Sequence, residues 1–219
     1  MRTNIFWGRV SAASGIVAAL LLMAGIIVSD VNGEVSVTAP SSRIAETFID
    51  NQSSILAGTY LTVLGVFFLI IFLGYLREFL LTATDEKTWL ASVAFGGGLV
   101  ACAMLLLGAH FSQAFTVLES YGGETQVAKA LYVLEWNWYL LVEAPPLAAL
   151  VGATAAIGFT TKVLPWWLNG WGALLTLTLL SPFLPGSGVM VTFLWVVALS
   201  IVLLLRTRGA TGQEAKGRQ

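Results

Sequence analysis

Charge is what this sequence has least of. It carries 11 Lys and Arg and 12 Asp and Glu among 219 residues, so charged side chains make up 11% of the chain and apolar ones 57%. A mean hydropathy of +0.84 belongs to a chain whose solvent is hydrocarbon, and it excludes an ordinary water-soluble fold. No run of Lys and Arg forms a basic patch, so a nucleic-acid surface is excluded as well. The single Cys102 rules out an intrachain disulfide and reads as a small buried hydrophobe. With one histidine, His110, beside that one cysteine, the Cys/His sets that hold zinc or haem cannot be assembled. No phosphate loop or nucleophile motif is present, and neither a metal nor a cofactor is expected.

What is present is a series of charge-free runs. Val10 to Ser29, Asn51 to Leu76 and Thr88 to Leu118 each hold enough residues to cross a bilayer, which takes about 20 at 1.5 Å per residue. A fourth run, from Ala130 to Phe159, contains two glutamates. Val163 to Leu205 is uncharged and too long for one crossing, and Pro182-Phe183-Leu184-Pro185-Gly186-Ser187-Gly188 divides it. The expected fold is therefore all-α: a polytopic bundle of six transmembrane helices over 1–208, with spans near 8–29, 53–76, 89–117, 129–158, 165–182 and 188–206.

Lys and Arg alternate between the connecting segments in a biased way. One set of segments holds Arg2, Arg9, Arg77, Lys87, Lys162, Arg206, Arg208, Lys216 and Arg218, the other only Arg43 and Lys129. The positive-inside rule then puts both termini in the cytoplasm of a cell with a plasma (inner) membrane, and the acidic 30–52 loop outside. Val28-Ser29-Asp30 is not a signal-peptidase site, so the first run reads as a retained helix. In the loop, Pro40-Ser41-Ser42 starts a short helix with Ile44 and Phe48 on one face, either an interfacial cap or a lid. Residues 209–219 read as a flexible polar tail.

Small residues at four-residue spacing, Ser11, Gly15 and Ala19 in the first span and Ser92 and Gly96 in the third, mark faces where helix backbones approach. They fit packing within the chain; a homo-oligomer or a partner subunit is not argued by them. The two halves of the chain share no residue-level similarity that would signal an inverted repeat.

The chemistry gathers in Tyr132-Val133-Leu134-Glu135-Trp136-Asn137-Trp138-Tyr139-Leu140-Leu141-Val142-Glu143-Ala144-Pro145-Pro146. An ionisable group at bilayer depth costs about 2.5 to 3.5 kcal/mol on insertion scales, which marks a pair on one span as functional candidates. Steps of four put Glu135, Tyr139 and Glu143 on one helical face, with Tyr132 and Trp136 flanking it. If the helix runs through Pro145 and Pro146, the carbonyls of Leu141 and Val142 lose their partners and the axis bends near Glu143, which is expected at mid-membrane. His110 and Glu135 are expected at matched depth, roughly 8 to 10 Å in, with Gln113 one turn further out. The competing reading is that these groups hydrogen-bond one another and fix helix packing.

Motifs elsewhere carry a resemblance. Ile55-Leu56-Ala57-Gly58-Thr59-Tyr60-Leu61, Phe72-Leu73-Gly74-Tyr75-Leu76-Arg77, Ala94-Phe95-Gly96-Gly97-Gly98, Val163-Leu164-Pro165-Trp166-Trp167-Leu168 and a Leu-rich last helix ending at Arg206 are similar to a group of uncharacterised bacterial six-span integral membrane proteins. The resemblance implies the six-span fold and brings no activity with it. From the residues alone, the expected function is binding or transport of a small cationic or amphipathic ligand between the third and fourth spans. Its contacts would be Glu143, Glu135, His110, Tyr139, Trp136, Tyr132 and Gln113. The alternatives are a non-enzymatic accessory subunit and, third, a membrane enzyme using Glu143 and His110 as acid and base.

Overall fold

The structure, a computed structural model, describes residues 2–30, 36, 38–84, 89–120, 125–137, 142–181 and 187–216; within these, the side chains at 2–5, 112, 115–120, 125, 128, 135–137, 187 and 207–216 lie outside the description. All regular structure among these residues is helical: α1 (Arg2–Ser29), α2 (Ser41–Asp50), α3 (Gln52–Ala83), α4 (Leu90–Ser120), α5 (Thr125–Asn137), α6 (Ala144–Thr161), α7 (Trp166–Leu180) and α8 (Ser187–Lys216).

Five of these helices, α1, α3, α4, α6 and α8, are long and apolar enough to cross a membrane. The helix α7 has 15 residues, a length of about 22 Å, and falls short of the hydrocarbon thickness by itself. The chain is thus a membrane protein by length and composition, with five rather than six segments meeting that measure.

The helices form a closed ring in chain order. Among the described residues α1 packs on α3, α3 on α4, α4 on α6, α6 on α7, α7 on α8, and α8 returns to α1. Small residues set the distances. A Cβ placed on Gly15 of α1 would collide with Ser200 of α8 and the Phe72 ring of α3, so this stripe packs inside the chain as its spacing predicts. The third-span stripe behaves otherwise: Ser92 is exposed and Gly96 has open space before it. Its neighbours make the contacts instead. Gly97 admits the Pro146 carbonyl and Ala149 of α6, while Gly98, turned about 100° further, admits Leu73 of α3.

Two helices pack on the outside of this series. The short α2 rests mainly on α5, and α5 touches only α2 and α4 among the described elements. With Ile55 of α3 they form an apolar cluster, Ile44, Phe48, Ile55 and Tyr132, distinct from the main core. The i, i+4 pair Ile44 and Phe48 that the sequence marks is fully buried in it.

Candidate functional site

On the fourth run α5 is described over Thr125–Asn137, residues 138–141 lie outside the description, and α6 opens at Ala144 with Pro145 and Pro146 in its first turn, where a missing N–H costs nothing because those donors have no intrahelical acceptor. The expected freeing of the Leu141 and Val142 carbonyls falls partly outside the described residues, since Leu141 is not among them; what is described is that the prolines stand in the first turn of α6.

Glu143 occupies the N-cap position of α6, at φ −78 and ψ −29, and is only 1% exposed. Its carbonyl receives the Leu147 N–H at 3.4 Å and so begins the helix. Its side chain makes no capping hydrogen bond to its own helix. The prolines explain why. An N-cap oxygen normally accepts from the second or third residue of the helix, and here those are Pro145 and Pro146, which have no N–H to give. The positive end of the α6 dipole favours a negative charge at this position. Glu143 lies at one end of the eighteen-residue apolar helix, opposite Lys162.

The other expected site residues are described only in part. His110 is exposed on α4: the Thr59 hydroxyl donates to the Ala109 carbonyl at 3.3 Å, fixing that side of α4 against α3, and His110 follows one step round the helix. Gln113, nearly one turn on, is half-buried. Tyr132 is buried, but against α2; its ring meets Phe48 edge-on, with centroids 5.7 Å apart. The side chains of Glu135 and Trp136, and all of Tyr139, fall outside the described residues, and with them the His110–Glu135 pairing. No group of three His, Cys, Asp or Glu that would hold a metal occurs among the described residues.

A second polar feature lies at the Lys162 end of α6, where Lys162 itself turns the chain with φ 54. Asn169 of α7 is 2% exposed; its amide donates to the Leu164 carbonyl at 3.3 Å, while its Oδ1 is buried without a hydrogen-bond partner. Gly158 of α6 makes the room for it, since a Cβ there would strike the Asn169 amide. Beside it, Trp195 Nε1 of α8 donates to the Leu168 carbonyl at 3.2 Å. Sequence reasoning marks Asn169 only as a neighbour of interfacial tryptophans; its spacing from Gly158 is invisible without the α6–α7 register.

This contact yields a prediction about packing. Gly158→Ala should destabilise the protein by about 1–3 kcal/mol, the usual cost of overpacking, and Asn169→Ala in the same chain should recover much of that loss. Thermal unfolding in detergent, read as a double-mutant cycle, checks it; additive losses would mean the two positions do not press on each other.

A cleft of about 130 Å³ between α7 and α8 is lined by Trp171, Leu174, Leu175, Thr178, Gly188 and Val191. It shares no residue with the Glu143 turn. Compared with family models, curated proteins and solved structures, the chain matches none.

Proposed function

We propose that this multi-pass membrane protein binds, or carries across the bilayer, a small cationic or amphipathic ligand whose positive group meets Glu143. One observation carries the reading: a carboxyl group only 1% exposed, at the first end of the apolar helix α6. Burial of such a group is expensive, and the positive group of a ligand lowers that cost. In this reading the ligand space is the one expected between the third and fourth spans, on the side of α6 that faces α4.

The same reading takes six crossings, with α7 as the fifth, because α7 packs along α6 from Asn169 at Gly158 to Thr176 at Gly152. It places Arg9, Arg77, Lys162 and Arg206 at the cytoplasmic interface of the plasma membrane, on the positive-inside rule.

Glu143→Gln preserves size and removes the ionisable group. Binding of a cationic dye to the purified protein should fall below detection in this variant while thermal stability is kept. In the parent chain, binding should weaken as pH falls, because protonation removes the carboxylate's charge. Equal binding by both proteins with the same pH response would reduce Glu143 to a packing residue.

An accessory role, in which the chain packs against a partner helix, is favoured by a different observation: Ser92 is exposed and Gly96 is open on α4. In that case dye binding would be indifferent to Glu143→Gln.

A further inference from the structure

We infer that the outer face of α4 holds an anionic phospholipid, its phosphate at Arg77 of α3 and one acyl chain along the strip that begins at Ser92 and Gly96. Arg77 is exposed, and among the described residues it forms no ion pair; Glu78, the next residue, is exposed and not paired with it either. The guanidinium lies instead over the Phe95 ring of α4, 5.7 Å from the centroid, within the range of a cation–π contact. The ring takes up one face of the planar group and leaves its fork of N–H donors for an anion, the geometry in which arginine recognises phosphate.

The level suits a lipid headgroup. At 1.5 Å per residue Arg77 stands about 37 Å along α3 from Gln52, just past a hydrocarbon layer of roughly 30 Å. On α4 the same end is marked by Trp89, 72% exposed and one residue before the apolar span Leu90–Phe111, where tryptophan anchors at the membrane interface. Away from that end the face of α4 is open. Ser92, one turn from Phe95, is exposed, nothing lies within 4 Å of the Cβ position of Gly96, and Val100, Ala103 and Leu107 continue the same face as exposed apolar residues. A cation and a hydroxyl at the interface, with an apolar track leading from them into the hydrocarbon, match a phosphate diester and its tail. A second copy of the chain suits the strip less well, because a two-fold axis through it would set Arg77 against Arg77.

The test uses the full-length chain in phosphatidylcholine vesicles that contain a trace of phosphatidylglycerol with a diazirine in its acyl chain. Irradiation should label α4 between Gly96 and Leu107. Exchanging part of the phosphatidylcholine for plain phosphatidylglycerol should suppress the labelling and inorganic phosphate should not, which separates a lipid headgroup from a free anion. Arg77→Gln should lower labelling about fivefold, the weight of one basic residue at an anionic surface, and Arg77→Lys should lower it less. Gly96→Leu adds its side chain into open space, so it should keep the fold and lower labelling with Arg77 in place. Labelling unchanged by Arg77→Gln overturns the inference, and so does equal labelling by the same probe on a phosphatidylcholine head. If Gly96→Leu spares lipid labelling and abolishes a cross-link to another chain instead, the strip belongs to a partner helix, as in the accessory role, and the lipid site falls. None of these readouts involves Glu143, so the dye experiment can fail without them.

Discussion

Gly58→Ala is expected to be among the most damaging single methyl additions in this chain. A Cβ at Gly58 would lie 2.6 Å from the Gly25 carbonyl oxygen, 2.6 Å from the Ser29 Cβ and 2.9 Å from the Ser29 backbone nitrogen. Two of these three are backbone atoms, which have no rotamer to escape into. The reciprocal contact is as tight, with a Cβ on Gly25 2.9 Å from the Gly58 carbonyl. Helices α1 and α3 would have to separate along their whole contact, so the loss should reach or exceed the upper end of the 1–3 kcal/mol that overpacking usually costs. Gly74 is the control, because nothing lies within 4 Å of its Cβ position. Gly74→Ala should be neutral or stabilising by up to about 1 kcal/mol, since alanine loses less entropy on entering a helix. Melting temperatures of the two variants in one detergent decide the matter; similar melting would show that the α1–α3 crossing yields more easily than its backbone contacts imply.

Trp195→Ala should be comparably severe, for the opposite reason. Trp195 is the largest of the fully buried side chains among the described residues, 1% exposed, and stands where α8 meets α7. Removing it deletes a large apolar surface and leaves a void, a change that costs about 3–5 kcal/mol in protein cores. Its hydrogen bond to the Leu168 carbonyl is the smaller part, about 1 kcal/mol net. Trp195→Phe keeps most of the volume and should lose far less. Chemical or thermal unfolding should therefore rank parent, Phe and Ala in that order, with the wide gap before Ala; a wide gap before Phe would assign the stability to the indole N–H instead.

The ring itself was largely legible in the residues. Long charge-free runs mark α1, α3, α4 and α8, because membrane solvation acts on every residue of a span alike. The fourth run is described as α5 and α6 with residues 138–141 between them outside the description, and hydropathy, which averages over a window, does not mark where α6 opens. The decisive information was the proline position: Pro145 and Pro146 are costly inside a helix but fit its first turn, and the chain takes the second solution. Glu143 could be singled out because its burial cost depends on residue type. His110 could not be placed, because its exposure depends on which side of α4 faces α3, and that is fixed by a contact fifty residues away, from Thr59 to Ala109. The Asn169–Gly158 fit is of the same kind: it belongs to the register between two helices and to neither sequence alone.

The meeting of Gly15 with Ser200 and Phe72 also bears on how the chain is made. Helices leave the ribosome in order, so α1 and α3 can pair early while the face of α1 around Gly15 waits for the last helix. Until α8 arrives, that notch borders lipid or the insertion machinery. Ring closure is therefore the final step of assembly, and a chain arrested before α8 presents an unfinished helix face, the kind of surface by which membrane quality control recognises an incomplete product.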